Sequence, residues 1–102
     1  MKLIARARIA LAPVASRVTA LKEGKIMPHV VVKLYSGRSE QQKNALAEAI
    51  TKAVTSTLKS EEESVSVGIE DVEPRDWAEQ VYRPAILGKM ATIYKKPGYD
   101  PL

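Results

Sequence analysis

The chain contains no cysteine and only one histidine among its 102 residues. Without cysteine it has no disulfide, no thiolate nucleophile and none of the cysteine-based zinc sites, and this composition is typical of a reducing compartment such as the cytoplasm. A single histidine also argues against a histidine-built metal site. We therefore expect no metal in this protein.

Long apolar runs and basic stripes are missing as well. No run approaches the roughly 20 apolar residues of a membrane span, so we expect no membrane partner. The formal net charge is +4, but residues 1–26 hold six basic residues against one acidic, which leaves ten basic and eleven acidic residues for 27–102. Because that remainder has no basic stripe interleaved with aromatic residues, we expect no nucleic-acid partner.

The first 26 residues differ in composition from the rest of the chain. They are rich in arginine and alanine and poor in acidic residues, as in a targeting peptide, but Arg6 and Arg8 interrupt the apolar region that a secretory signal needs. Codons for Lys22-Glu-Gly24 can contain a ribosome-binding sequence shortly before Met27. We expect residues 1–26 to be an extension that arises from a mis-assigned translation start, with an organelle presequence or a structural role as alternatives, and residues 27–102 to form one domain.

The domain begins with a predicted strand and a long helix. A run rich in β-branched and aromatic residues predicts a strand over His29–Tyr35. Ser39 followed three residues later by Gln42 has the spacing of a capping box, and apolar residues recur behind it at helical spacing. The pattern predicts one amphipathic helix from Glu40 to about Lys59.

The following residues complete a β-α-β unit. Strict alternation of apolar residues with small or polar ones predicts a second strand over Ser64–Glu70. A strand, a crossover helix and a second strand form a parallel, right-handed unit, so the fold class is α/β (α+β). We expect a helical turn near Pro74, a helix that restarts at Pro84, and a tail over residues 95–102. Because one helix covers only one face of two strands, we also expect self-association, most simply as a two-fold homodimer.

Four short runs of residues carry a family resemblance. They are Met27-Pro-His-Val-Val-Val-Lys33, the turn Gly37–Lys43, the serine-valine strand and Ile93–Tyr99. Together they resemble the 4-oxalocrotonate tautomerase family, and in particular its slightly longer bacterial members with an added C-terminal helix, which pair as dimers. The resemblance covers residues 27 to about 99. It implies the tautomerase fold and a cofactor-free keto–enol tautomerase (an isomerase) that acts on a small 2-keto or enol acid.

The resemblance gives Pro28 the role of general base, because the family's proteins begin at this proline after removal of the initiator methionine. An α-amino group titrates at about 7.7 to 8.0, and an apolar pocket beside a cation lowers its pKa toward neutrality, which makes it a competent base. Inside a chain, the same nitrogen is an inert amide. If residues 1–26 stay attached, Pro28 only starts a strand.

Two further residues match the family's substrate-binding positions. Arg38 matches the arginine that binds the substrate carboxylate and offsets enolate charge; the alternative is a surface arginine at a helix N-terminus, an unfavourable place for a cation. Trp77 falls where the family has an aromatic wall and is equally well explained as core. Ser66 stands where dicarboxylate-binding members carry a second arginine. This departure favours a substrate with one carboxylate, such as phenylenolpyruvate, with Arg75 or Arg83 as candidates for binding a second.

The position of Arg38 also predicts a site shared between two chains. Pro28 and Arg38 flank a strand of seven residues at about 3.3 Å each, a separation of more than about 20 Å, so they meet only if two copies of the strand run antiparallel across a dimer axis. His29 faces away from Pro28 and is expected to serve packing or surface polarity. Two alternative functions remain: a hydratase or dehalogenase of an unsaturated acid with Pro28 protonated, and a non-enzymatic dimerisation module if the extension is retained.

Overall fold

The computed structural model describes residues 25–102, so residues 1–24, which form most of the predicted extension, lie outside the described residues. The main elements are β1 (His29–Tyr35), α1 (Glu40–Leu58), β2 (Ser66–Val72) and a C-terminal helix (Ala78–Ile86). The two strands are parallel, with the first residues of both strands side by side and the last residues of both side by side. A parallel strand pair joined by a crossover helix confirms the predicted β-α-β fold class.

Helix α1 begins and ends where the sequence predicts. The Ser39 hydroxyl accepts a hydrogen bond from the Gln42 amide at 3.0 Å, and the Gln42 side chain accepts one from the Ser39 amide at 3.1 Å. This reciprocal pair is the predicted capping box, which satisfies two donors that a helix N-terminus otherwise leaves free. Lys59 ends the helix in the left-handed conformation, with φ of 58°.

Strand β2 lies two residues later than predicted. Residues Glu62–Ser64 form a short 3₁₀ turn in which the amides of Ser64 and Val65 donate to the carbonyls of Glu61 and Glu62. Those amides are therefore unavailable for pairing with β1, and the first amide that pairs is that of Ser66. The alternation in the sequence identified the strand correctly but extends into the turn that precedes it.

The sheet has one face under α1 and one open face. Val30, Val32 and Leu34 point toward α1, and the salt bridge from Lys43 on α1 to Asp71 on β2 fixes the helix on that side. The open face carries the alternate residues of both strands, His29, Val31, Lys33, Tyr35, Ser66, Gly68, Glu70 and Val72. Within the described residues, the fully buried apolar residues are Val72, Val81 and Tyr82, so the tightest packing lies where the end of β2 meets the C-terminal helix.

The prediction of a helix that restarts at Pro84 is wrong. The C-terminal helix runs through Pro84 in π-type turns, and the Leu87 amide donates to the carbonyls of Arg83 and Tyr82 at its end. In an α-helix the proline ring would clash with the carbonyl four residues earlier, whereas the wider π turn accommodates it. The final segment is not a free tail, because Tyr99 packs against Tyr82 with ring centroids 5.7 Å apart. None of the helices within residues 25–102 is long and apolar enough to cross a bilayer.

Candidate active site

Pro28 lies half-buried immediately before β1. Its carbonyl oxygen accepts a hydrogen bond from the Ser66 amide at 3.1 Å, which ties the residue to the start of β2. The preceding Met27 is exposed and has a left-handed φ of 46°, an unfavourable conformation for a residue before proline. The sheet therefore holds Pro28 through its carbonyl group, while its nitrogen faces an exposed and strained junction.

Arg38 lies in the turn between β1 and α1. Gly37 has a φ of 122°, which favours glycine, and Ser36 donates its hydroxyl to the Glu73 carboxylate at 2.9 Å, so the turn is held against the end of β2. The Arg38 side chain is exposed and makes no hydrogen bond or ion pair to any residue of the described range. Its guanidinium is therefore available to an anion.

The two predicted chemical groups lie at opposite ends of one strand. Pro28 directly precedes β1 and Arg38 lies three residues beyond its end. Seven residues of extended strand separate them by more than about 20 Å, which exceeds the reach of an arginine side chain. The fold does not bring Pro28 and Arg38 together within one chain.

Trp77 lies at the Arg38 end of the sheet. Its ring meets that of Tyr35, the last residue of β1, edge to face at a centroid distance of 5.2 Å. Its Nε1 donates to the hydroxyl of Tyr99 at 3.0 Å. Tyr35, Trp77 and Tyr99 line an open cavity of about 190 Å³. The sequence prediction singled out Trp77 alone; the one signal for Tyr99 was its presence in the family-like run Ile93–Tyr99.

Comparison with protein families identifies what these residues belong to. The family described as "Tautomerase enzyme" matches residues 28–85, which is more than half of the chain. The chain belongs to the tautomerase family. This confirms the predicted family and supports a tautomerase-type isomerase activity. The catalytic and binding roles of Pro28, Arg38 and Trp77 remain predictions.

Individual relatives of this tautomerase cover most of its length. Tautomerase PptA of Klebsiella pneumoniae is 42% identical over 75 residues, which are 72% of this chain and 99% of the relative. Tautomerase PptA of Cronobacter sakazakii is 37% identical over 75 residues, with the same coverage of both chains. Among solved structures, TomN, a 4-oxalocrotonate tautomerase homologue in the tomaymycin biosynthetic pathway, is 42% identical, with 49% of this chain and 77% of that chain covered and a TM-score of 0.48.

The serine that departs from the resemblance lies beside Pro28 in this tautomerase. The Ser66 amide binds the Pro28 carbonyl, and its hydroxyl makes a 2.7 Å hydrogen bond with Nδ1 of His29 across the strand pair. His29 is exposed and on the open face of the sheet. A neutral hydrogen-bonded pair thus occupies the position where the resemblance places a second cation.

Other cations near the site are already engaged or lie elsewhere. Arg83, a candidate for binding a second carboxylate, donates to Glu79 at 2.7 Å. Lys43 donates to Asp71 at 2.9 Å, and this hydrogen bond raises the pKa of Lys43 above its ordinary value. Arg75 is exposed, in the 3₁₀ turn that precedes Trp77. Among these cations, Arg38 and Arg75 are the ones without an ionic partner in residues 25–102.

Proposed function

We propose that this tautomerase interconverts the keto and enol forms of a 2-keto acid without a cofactor, with the amine of an N-terminal Pro28 as general base. The observation that carries the proposal is the position of Pro28, which directly precedes β1 and is also the residue at which the family match begins. The active form then starts at Pro28, without residues 1–26 and Met27. Exposure of Ile26 and Met27 supports removal of the preceding residues, because the junction is accessible to a peptidase.

Each group contributes one part of the chemistry. The neutral amine of Pro28 removes the proton from the enol hydroxyl at C2 and delivers a proton to C3, so the enol becomes the keto acid with no net change in atoms or electrons. Arg38 binds the carboxylate through its planar fork and stabilises the negative charge that develops on the enolate oxygen. Trp77 supplies an apolar wall.

The substrate site is shared between two copies of the chain. Because Pro28 and Arg38 are too far apart in one chain, a homodimer with antiparallel β1 strands places the Arg38 end of one copy beside Pro28 of the other. Two features support this assembly: the sheet contains only β1 and β2 within the described residues, which leaves an edge of β1 unpaired, and Val31 is 43% exposed on the open face.

The test is the ketonisation of phenylenolpyruvate by a protein that starts at Pro28. We expect catalysis that EDTA leaves unchanged, and Pro28→Ala should lower kcat/KM by about 10²-fold or more, the usual scale for a positioned proton-transfer group. Loss of the enol absorbance measures the rate, and circular dichroism checks that the variant folds. An alanine variant as fast as the parent protein would show that another group moves the proton.

A further inference from the structure

The cavity at the Arg38 end is an aromatic box built by three rings from distant parts of the chain. Tyr35 comes from the end of β1, Trp77 follows β2, and Tyr99 comes from the C-terminal segment. The Trp77 ring stands at 80° to that of Tyr35 and is hydrogen-bonded to the Tyr99 hydroxyl. Tyr99 in turn rests on the buried Tyr82. Each ring is therefore held in place by another.

The box keeps aromatic surface open to solvent. Tyr35 is 51% exposed and Tyr99 is 47% exposed, although both rings have aromatic neighbours on one side. The C-terminal segment does not pack all its rings in this way, since Tyr94 is 99% exposed. Tyr99 is thus selectively anchored beside the cavity.

The volume of the cavity identifies the size of its ligand. A cavity of about 150 Å³ with apolar walls accepts a benzene ring, and this one has a volume of about 190 Å³. Flat aromatic walls at steep mutual angles suit a planar ring, which can meet one wall face-on and another edge-on. Arg38, which leaves the same end of β1, offers a cation for a carboxylate on that ligand.

We propose that Tyr35, Trp77 and Tyr99 form a subsite for the aryl group of an aromatic 2-keto acid, and that Tyr99 is the residue that determines the preference for aryl over small alkyl substituents. The inference rests on the proposed function, because it assigns a substrate class to the same site. The carboxylate of this acid lies on Arg38, and its ring enters the box.

Binding of two unreactive acids tests the subsite without any catalytic step. 3-Phenylpropanoate and butanoate have the same carboxylate chain and differ by a phenyl group in place of a methyl group. The full chain should bind 3-phenylpropanoate about 10-fold or more tightly, as expected when a phenyl group leaves water. Trp77 is the single tryptophan, so its emission on excitation at 295 nm should change with 3-phenylpropanoate and stay constant with butanoate. Equal affinities, or an unchanged Trp77 emission at saturation, would overturn the proposal.

Three variants assign the preference to the Tyr99 ring. Tyr99→Ala should reduce the preference for the phenyl acid to within about 2-fold, because the box loses one wall. Tyr99→Phe keeps the wall and should retain the preference, so its loss there would contradict a role for the ring. Tyr94→Ala is the matched control, a tyrosine removed from the same segment, and should bind as the parent does. A folded Tyr99→Ala protein with full preference would also overturn the assignment.

The outcome separates this inference from the proposed function. An inactive protein that still prefers 3-phenylpropanoate would retain the subsite and lose the proposed catalysis. A protein that ketonises enol acids but shows no aryl preference would retain the catalysis and lose the subsite.

Discussion

The separation of Pro28 and Arg38 leads to a complementation experiment. If each site takes Pro28 from one chain and Arg38 from the other, a dimer of one Pro28→Ala chain and one Arg38→Ala chain has one intact site and one site without either group. Each single-variant homodimer has two damaged sites. Mixing two inactive proteins, both starting at residue 28, should therefore restore activity.

The size of the recovery follows from chain statistics. Loss of a proton-transfer group lowers the rate by about 10²-fold or more, and loss of a charge-stabilising donor by about 10²- to 10³-fold, so both homodimers lie near the baseline. At equal ratios and random exchange, about half of the dimers are mixed and each has one good site, so activity should reach about a quarter of that of the parent protein.

A double variant provides the matched control. When parent protein exchanges with the Pro28→Ala, Arg38→Ala chain at equal ratio, every mixed dimer has one damaged group in each site. Activity should then fall from about half to about a quarter of the parent value, whereas a site within one chain would keep it at about half. Phenylenolpyruvate ketonisation measures the rate, and native mass spectrometry measures the mixed dimers. Mixed dimers without recovered activity would refute the shared site.

Two predictions concern the stability of the fold and the cellular form of the protein. The hydrogen bond to Asp71 raises the pKa of Lys43 above its ordinary value of 10.5, so the pair stabilises the folded state below pH 10.5 and loses this contribution as pH rises through the higher folded-state pKa. Lys43→Met should have a lower urea midpoint than the parent protein at pH 8 and approach it at pH 11, while the exposed Lys52→Met is unchanged relative to the parent; a pH-independent difference would contradict the pairing. N-terminal peptide mass spectrometry of the cellular protein should find Pro28 first, and recovery only of peptides that begin upstream would remove the proposed base.

The local parts of the fold could be predicted from the sequence because their signals are local. The capping box of Ser39 and Gln42 and the β-branched run of β1 determine where α1 and β1 begin. The start of β2 could not be predicted from alternation, because a 3₁₀ turn uses the amide of Val65 first. The course of the C-terminal helix through Pro84 depends on π-type turns that no spacing rule identifies.

The candidate site was predicted in part for the same reason. Pro28, Arg38 and Trp77 each lie in a recognisable run, and their positions along β1 already implied two chains. The aromatic box was missed because its contacts are tertiary: Trp77 and Tyr99 are 22 residues apart in the chain. Tyr35 was predicted only as a strand residue, and its role as a wall depends on where the segment after β2 returns to the sheet.

The central claim is that the chain gains activity when the nitrogen of Pro28 becomes a free amine. The most direct measurement compares phenylenolpyruvate ketonisation by the 102-residue chain with that by the same protein starting at Pro28, at equal concentration. The account predicts catalysis by the shorter protein and a rate at the buffer baseline for the longer one, because an amide nitrogen cannot accept the proton. Equal rates, with mass spectrometry showing that the longer chain stayed intact during the assay, would contradict the role of Pro28 as the base.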